Sequence, residues 1–173
     1  MMNYICTKCG LRAPGSSQSP RCACGGLWDL EFTPPAFSLD AVDKGEWSMF
    51  RYRRFMALTD DSWREVSLGE GMTPVIRLDK DVLLKMDYFM PTLSYKDRGA
   101  AVLMAHCKYL GVKRVVQDSS GNAGNSVAAY AGRAGIACEI FVPEGTSPKK
   151  IAMIRAHGAK CTVVPGSRDH CAR

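Results

Sequence analysis

The segment VKRVVQDSSGNAGNSVAAYAGRAGIACEIFV, residues 112–142, has the pattern that indicates the fold class most clearly. VKRVVQD (112–118) is typical of a strand, and the apolar run IACEIFV (136–142) is typical of a strand buried in a sheet. Between them, SGNAG (120–124) predicts a tight loop, and residues 125–134 predict a helix that Gly135 ends. Two strands separated by a helix predict a parallel pair with a helical crossover.

The same alternation continues on both sides of this segment. Upstream, residues 96–110 have apolar positions at helical spacing. Downstream, Pro148 suits the first turn of a helix that runs to about His157, and AKCTVVP (159–165) predicts another strand. We therefore expect an α/β fold in which a three-layer parallel sheet has flanking helices.

The composition divides the chain into three expected parts. Residues 1–35 are rich in Cys, Gly, Pro and Ser, and such a stretch needs a metal or a neighbouring domain for stability. Residues 36–74 predict a helical or irregular connector whose aromatic side chains pack against something larger. Residues 75–173 carry the α/β pattern and open with two short strands, VIRL (75–78) and VLLKM (82–86).

Four cysteines near the N terminus have a spacing that is similar to that of zinc ribbons. Cys6-x-x-Cys9 and Cys22-x-Cys24 supply four thiolates, and glycines follow both pairs. Because Zn²⁺ favours four tetrahedral sulfur ligands, we predict a structural zinc ion in a small zinc-ribbon-like segment. The alternative is a set of ordinary reduced thiols. Four sulfur ligands leave no open coordination position, which argues against a catalytic zinc ion.

Two further motifs indicate chemistry. In PTLSYKDRG (91–99), Lys96 precedes a predicted helix, whose positive end lowers the pKa of an amine and favours attack on an aldehyde. A surface lysine at a helix start is the simpler alternative. In DSSGNAGN (118–125), a loop between a strand and a helix offers N–H groups to a carboxylate, with the Asn122 amide beside them. The spacing matches neither the dinucleotide nor the nucleoside-triphosphate glycine motif.

Together these motifs resemble the pyridoxal-phosphate enzymes of the tryptophan-synthase-β fold type, fold type II, and within that family the threonine synthases. The matching pieces occur in the family's order: the cysteine pairs, RYR (51–53), SLGEGMTP (67–74), the Lys96 motif, the Asn122 loop and PEGTSPKKIAMIRAHGAKCTVV (143–164). The resemblance covers nearly the whole chain.

The resemblance implies a pyridoxal-phosphate-dependent carbon–oxygen lyase that converts O-phosphohomoserine and water to threonine and phosphate. Lys96 would bind the cofactor covalently and then act as general base and acid, and Asn122 would hydrogen-bond the cofactor's 3-hydroxyl oxygen. The substrate's α-carboxylate would be bound by the loop, namely by Ser119, Ser120, Gly121, Asn122, Ala123 and Gly124.

This sequence departs from the family in two ways. Leu93 stands where the family usually has a flexible glycine. The family's glycine-rich phosphate cradle and the Ser or Thr that faces the pyridine nitrogen have no counterpart here, so residues 75–173 are expected to be a partial enzyme domain of a truncated chain. The alternatives are a cysteate synthase, an amino-acid ammonia-lyase or dehydratase, and a non-catalytic zinc-ribbon binding module or pseudoenzyme.

Composition argues against several other classes. The net charge of +6 is spread along the chain, whereas nucleic-acid binding needs a denser basic patch. The apolar runs are far shorter than the roughly 20 residues that span a bilayer, and no secretory signal precedes the cysteines, so we expect a cytoplasmic protein. Lys149 and Lys150 are expected to be a solvated pair, and a role in phosphate binding is the alternative. The resemblance implies an amino-acid substrate and a homodimer.

Overall fold

The N-terminal part of the structure is a small antiparallel sheet of three strands. In the computed structural model, which describes residues 3–17, 19–58 and 60–171, β1 (Asn3–Cys6) lies between β2 (Arg12–Pro14) and β3 (Trp28–Leu30). Tyr4 is paired with a residue on each neighbouring strand. The cysteine spacing predicted the turns of this region but not its strands. The outer limits of the expected parts, residues 1 and 173, lie outside the described residues.

The connector is irregular and packs on the core through two aromatic rings. It contains two 3₁₀ segments, Leu39–Ala41 and Met49–Phe55, and the short helix α1 (Trp63–Val66). Phe50 and Trp63 are buried and stacked, with 4.8 Å between their ring centroids. The expected packing role of the connector's aromatic residues is therefore confirmed for these two rings.

A hairpin follows the connector. Strands β4 (Val75–Asp79) and β5 (Val82–Lys85) pair in antiparallel register, and all of their residues are exposed. The ammonium of Lys85 donates to the carbonyl oxygen of Thr73, at 2.6 Å, and this bond holds the base of the hairpin against the end of the connector.

The rest of the structure alternates helices with the strands of a parallel sheet, which confirms the expected α/β class. Strands β6 (Arg114–Gln117), β7 (Ala137–Pro143) and β8 (Lys160–Val164) lie side by side in chain order. The helices are α2 (Lys96–Tyr109), α3 (Asn122–Ala134), α4 (Pro148–Ala156) and α5 (Arg168–Cys171). None of the helices in the described part of the chain is long and apolar enough to span a membrane.

The two faces of the parallel sheet are covered unequally. Ile140 and Val142 are fully buried on the face where α3 and α4 pack. The strand register places Val116 and Phe141 on the opposite face, where the described residues contribute only the four-residue helix α5. Val116 is 61% exposed there. The expected helical layer is therefore confirmed on one face of the sheet. On the other face it covers only a short stretch.

Helix α3 begins three residues earlier than the sequence predicted. Gly121 is the extended N-cap residue, with φ −106° and ψ −159°, and Asn122 is the first helical residue. Gly124 therefore lies in the first helical turn and not in the loop. A Cβ atom at Gly124 would lie 2.0 Å from the carbonyl oxygen of Ser119, so only glycine lets the helix approach the loop this closely.

Candidate active site and cysteine cluster

Lys96 is the first residue of α2, where the sequence predicted it. Its side chain is exposed, and its Nζ lies 4.9 Å from the centroid of the Tyr95 ring. Within the described residues it forms no ion pair. The lysine is therefore at the positive end of a 14-residue helix with its amine open to a ligand.

A buried carboxylate ties this turn to the neighbouring helix. Asp97 is fully buried and accepts hydrogen bonds from the Thr92 backbone N–H at 2.7 Å and from the Ser126 hydroxyl at 2.6 Å. The Thr92 hydroxyl also donates to Asp97 and lies 2.8 Å from the Ser126 hydroxyl. The residues before Lys96 and the first turn of α2 are thus fixed against α3.

Asn122 lies one helical turn before Ser126, on the same face of α3. Because Ser126 is bonded to Asp97 beside Lys96, the N-terminal ends of α2 and α3 lie together. Sequence reasoning proposed Lys96 and Asn122 as one site, and the structure brings the helix ends that carry them together.

The predicted substrate loop is split between a loop and a helix. Ser119 and Ser120 follow β6, Gly121 caps α3, and Asn122, Ala123 and Gly124 form its first turn. Among the described residues no side chain caps this helix, so the first N–H groups of α3 are available to an anion.

A second buried pair fixes the segment SLGEGMTP against α3. Tyr130 donates its hydroxyl hydrogen to Glu70 at 2.9 Å, and both side chains are fully buried. Burial and the Glu70 carboxylate raise the pKa of Tyr130, which keeps the phenol protonated as a donor. The backbone N–H of Leu68 also donates to Glu70.

An ion pair holds the hairpin side of the site. Arg98 Nη2 lies 2.9 Å from Asp87 Oδ1, and the Thr73 hydroxyl donates to the same oxygen at 2.8 Å. The Arg98 guanidinium lowers the pKa of Asp87. Asp97 and Arg98 therefore both orient the start of α2.

Sequence reasoning missed the polar partners on α3. Asn122, Ser126 and Tyr130 are spaced four residues apart, which places them in one row along the helix. The other residues of this buried helix are mostly small and apolar. A polar row on an otherwise apolar helix was the available signal, but the sequence did not indicate which distant residues it would meet.

The four N-terminal cysteines form a cluster, as their spacing predicted. Their Sγ atoms all lie within 4.8 Å of one another, with Cys6–Cys24 at 3.5 Å and Cys9–Cys22 at 3.7 Å. The backbone N–H groups of Cys9 and Lys8 lower the pKa of Cys6 to about 6. A Cβ atom at residue 26 would lie 2.5 Å from the Cys6 sulfur, so Gly26 leaves room for the cluster.

The N-terminal sheet contacts the helix that carries Lys96. The Tyr4 hydroxyl lies 2.8 Å from His106 Nε2, and the His106 ring stacks on Tyr109. Burial lowers the pKa of His106, which favours the neutral ring at this contact. The sheet that contains the cysteines is therefore joined to the C-terminal half of α2.

Comparison with known proteins gives a family and several relatives. Residues 66–173 match the family described as pyridoxal-phosphate dependent enzyme. The threonine synthase of Methanocaldococcus jannaschii is 34% identical over 177 residues, which cover 95% of this chain and 44% of that protein. The threonine synthase of Mycobacterium leprae is 38% identical over 128 residues, covering 69% and 35%. The chain thus spans less than half the length of these relatives.

Solved structures share the fold. An O-ureido-L-serine synthase is 25% identical with a TM-score of 0.53, over 65% of this chain and 39% of that chain. The diaminopropionate ammonia lyase of Escherichia coli has a TM-score of 0.58 over 65% and 36%, and at 21% identity its likeness concerns the fold alone.

Proposed function

Because this chain belongs to the family of pyridoxal-phosphate dependent enzymes, we propose that it carries the lysine-bearing part of a threonine-synthase-like lyase. The reaction would convert O-phosphohomoserine and water to threonine and phosphate. One observation carries the proposal: the bond from Ser126 to Asp97 holds the Lys96 end of α2 beside the Asn122 end of α3.

The residues of this site have the chemistry that pyridoxal phosphate requires. Lys96 offers an exposed amine to the aldehyde carbon, and the Asn122 amide offers a donor to the ring's 3-hydroxyl oxygen. When bound, the cofactor supplies an electron sink. Lys96 would then hold and move the proton at the substrate carbon as general base and acid.

The substrate would be oriented by the start of α3. Its carboxylate would accept hydrogen bonds from the backbone N–H groups of the first turn, with the hydroxyls of Ser119 and Ser120 beside it. The absence of a side chain at Gly124 keeps this turn close to the loop and so fixes the direction of those N–H groups.

Reductive labelling tests the proposal. The purified chain is incubated with pyridoxal phosphate and reduced with borohydride, and the modified lysine is located by mass spectrometry. We expect stoichiometric label at Lys96, which Lys96→Ala abolishes. Lys149→Ala is the matched control, because Lys149 is also an exposed lysine in the first turn of a helix. Label scattered over several lysines in the unmodified chain would refute a cofactor site at Lys96.

The products distinguish the fold-type II alternatives. Release of inorganic phosphate from O-phosphohomoserine is expected for the proposed lyase. Release of ammonia from serine or threonine without phosphate release would favour an ammonia-lyase or dehydratase, and formation of cysteate would favour a cysteate synthase. A zinc-dependent partner interaction that Lys96→Ala leaves intact, with no cofactor labelling, would favour the non-catalytic binding module.

We further propose that the four cysteines hold a structural zinc ion. Zn–S bonds of about 2.3 Å in a tetrahedron separate the sulfurs by about 3.8 Å, and the sulfurs of Cys6–Cys24 and Cys9–Cys22 lie 3.5 and 3.7 Å apart. The thiols of the cluster come from the last residue of β1, the turn after it and the segment before β3, all at one end of the small sheet. The ion would join these pieces and stabilise a segment that has little core of its own.

A further inference from the structure

A small cavity lies between the first turn of α3 and one side of α4. Its volume is about 40 Å³. The α3 side is lined by Ser120, Gly121, Asn122 and Asn125, and the α4 side by Lys150, Met153 and Ile154. The cavity therefore borders the residues expected to bind the substrate's carboxylate, and it adds a lysine from a different helix.

The charge at this place is uncompensated. The first turn of α4 contains Lys149 and Lys150 and no acidic residue, although the positive end of a helix disfavours cations. Lys150 has no ion-pair partner in the part of the chain that the structure describes. Because the first turn of α3 lines the same cavity, one helix N terminus and the Lys150 ammonium face it, and an anion would offset both.

A buried amide gives a second indication of a ligand. Asn125 lines the cavity and is only 7% exposed, yet its Oδ1 has no hydrogen-bond partner among the described residues. Unpartnered buried polar atoms are costly and few in native proteins. An amino acid carries a donor as well as an oxyanion, so it can satisfy this oxygen and the cation together.

Only one of the two adjacent lysines faces the cavity. Lys150, Met153 and Ile154 are spaced i, i+3 and i+4 and lie on one side of α4, whereas Lys149 is about 100° away around the helix. Lys149 and Lys150 therefore have different surroundings, although the sequence led us to expect two solvated lysines.

We propose that Lys150 is a substrate-binding residue whose ammonium, together with the N–H groups of the first turn of α3, holds an oxyanion of the amino-acid substrate. This inference rests on the proposed function and extends it to a residue on α4. The oxyanion is a carboxylate or a phosphate, and both are present in O-phosphohomoserine.

The test is a titration of the ¹⁵N-labelled full chain with inorganic phosphate, L-homoserine and O-phosphohomoserine. We expect shifts of the backbone amide signals of Gly121–Gly124. Lys150→Gln should weaken binding roughly tenfold or more, as expected for loss of a charged hydrogen bond. Lys150→Arg keeps the positive charge and should retain most of the binding affinity. Lys149→Gln, the matched control, should change the dissociation constant by less than about twofold, as expected for an exposed charge.

The ligand series identifies the oxyanion. A loss of affinity for L-homoserine as well as O-phosphohomoserine assigns Lys150 to the carboxylate, and a loss confined to the phosphate-bearing ligands assigns it to the phosphate. Equal effects of Lys149→Gln and Lys150→Gln would overturn the proposal, as would the absence of shifts at these amides in millimolar ligand. Borohydride labelling of Lys96 does not require Lys150. A failure of that labelling would therefore refute the proposed enzyme, whereas a failure of the titration alone would refute only the role of Lys150.

Discussion

Leu93 adopts a backbone conformation that favours glycine. Its φ is +61°, and its side chain is 68% exposed, so little packing compensates for the strain. The left-handed region costs roughly 1–2 kcal/mol for a residue with a Cβ atom. The position is also the one at which this sequence departs from the glycine of the family it resembles. The leucine at this position therefore lowers stability through backbone strain, and the strained residue lies three positions before Lys96.

Replacing Leu93 tests this cost. Leu93→Gly is expected to raise the free energy of unfolding by about 1 kcal/mol, since relief of strain outweighs the added entropy of the unfolded chain. Urea denaturation measures the change. Leu93→Ala keeps the Cβ atom and should give no comparable gain. Equal stabilisation by both substitutions would show that the Leu93 side chain, and not its backbone, is unfavourable.

At the level of single residues, sequence located the chemistry-bearing side chains but not their partners. Lys96 and Asn122 were identified because each lies next to a helix start marked by local motifs. The Glu70–Tyr130 bond joins residues 60 positions apart, and no local periodicity specifies which helix residue a loop carboxylate will meet. Burial of Asp97 could likewise not be predicted, because its hydrogen-bond partner Ser126 lies on another helix.

The open face of the parallel sheet is held together by charge across its strands. Glu139 on β7 accepts from Arg114 on β6, and it lies 2.8 Å from the Lys160 ammonium on β8. The Thr162 hydroxyl donates to it as well. The Lys160 ammonium, and after it Thr162 and Arg114, lower the pKa of Glu139 from 4.5 to about 2.

This carboxylate makes the stability of the sheet dependent on pH. A lowered pKa means that the stabilisation is fully present above the unfolded value of 4.5 and is lost as the pH falls towards 2. We expect the urea midpoint of the protein to exceed that of Glu139→Gln at pH 7, and the difference to shrink between pH 5 and pH 2. Glu144→Gln, which removes an exposed carboxylate after β7, should track the parent protein. If the difference in urea midpoint between the parent protein and Glu139→Gln did not change with pH, the Glu139 carboxylate would not be the source of the pH dependence.

Elements were predicted best where glycine or proline marks their ends. Gly135 has φ +69° at the end of α3, and Pro148 opens α4, so both boundaries agree with the sequence. The start of α3 was placed three residues late because its cap is a glycine without the usual side-chain signal. The strands β1–β3 were missed because each is a short segment within a stretch rich in Cys, Gly, Pro and Ser, where no longer apolar run marks a strand.

At the scale of the whole molecule, the cysteine cluster and the candidate active site belong to one connected structure. The Tyr4–His106 bond joins residues 102 positions apart, so the small sheet is held against the helix whose first residue is Lys96. Sequence could not predict this docking, since nothing in the local pattern pairs Tyr4 with α2. Loss of the proposed zinc ion would therefore release a surface of α2 and not only unfold the N terminus.

Metal removal tests this connection. Metal analysis of the purified chain should find stoichiometric zinc, and Cys9→Ser should lack it, whereas Cys171→Ser, outside the cluster, should retain it. Chelation should expose Trp28 of β3, seen as a red shift of tryptophan emission, while the far-ultraviolet circular dichroism of the helices persists. Full zinc content in Cys9→Ser would contradict the four-thiolate site.

The order of the strands has a consequence for synthesis. Because β6, β7 and β8 lie side by side in the order of the chain, each strand pairs with the one made just before it, after a single intervening helix. Such a sheet has a low contact order for a parallel arrangement. It can grow in the direction of translation, each new strand leaving the ribosome to join an edge that is already formed.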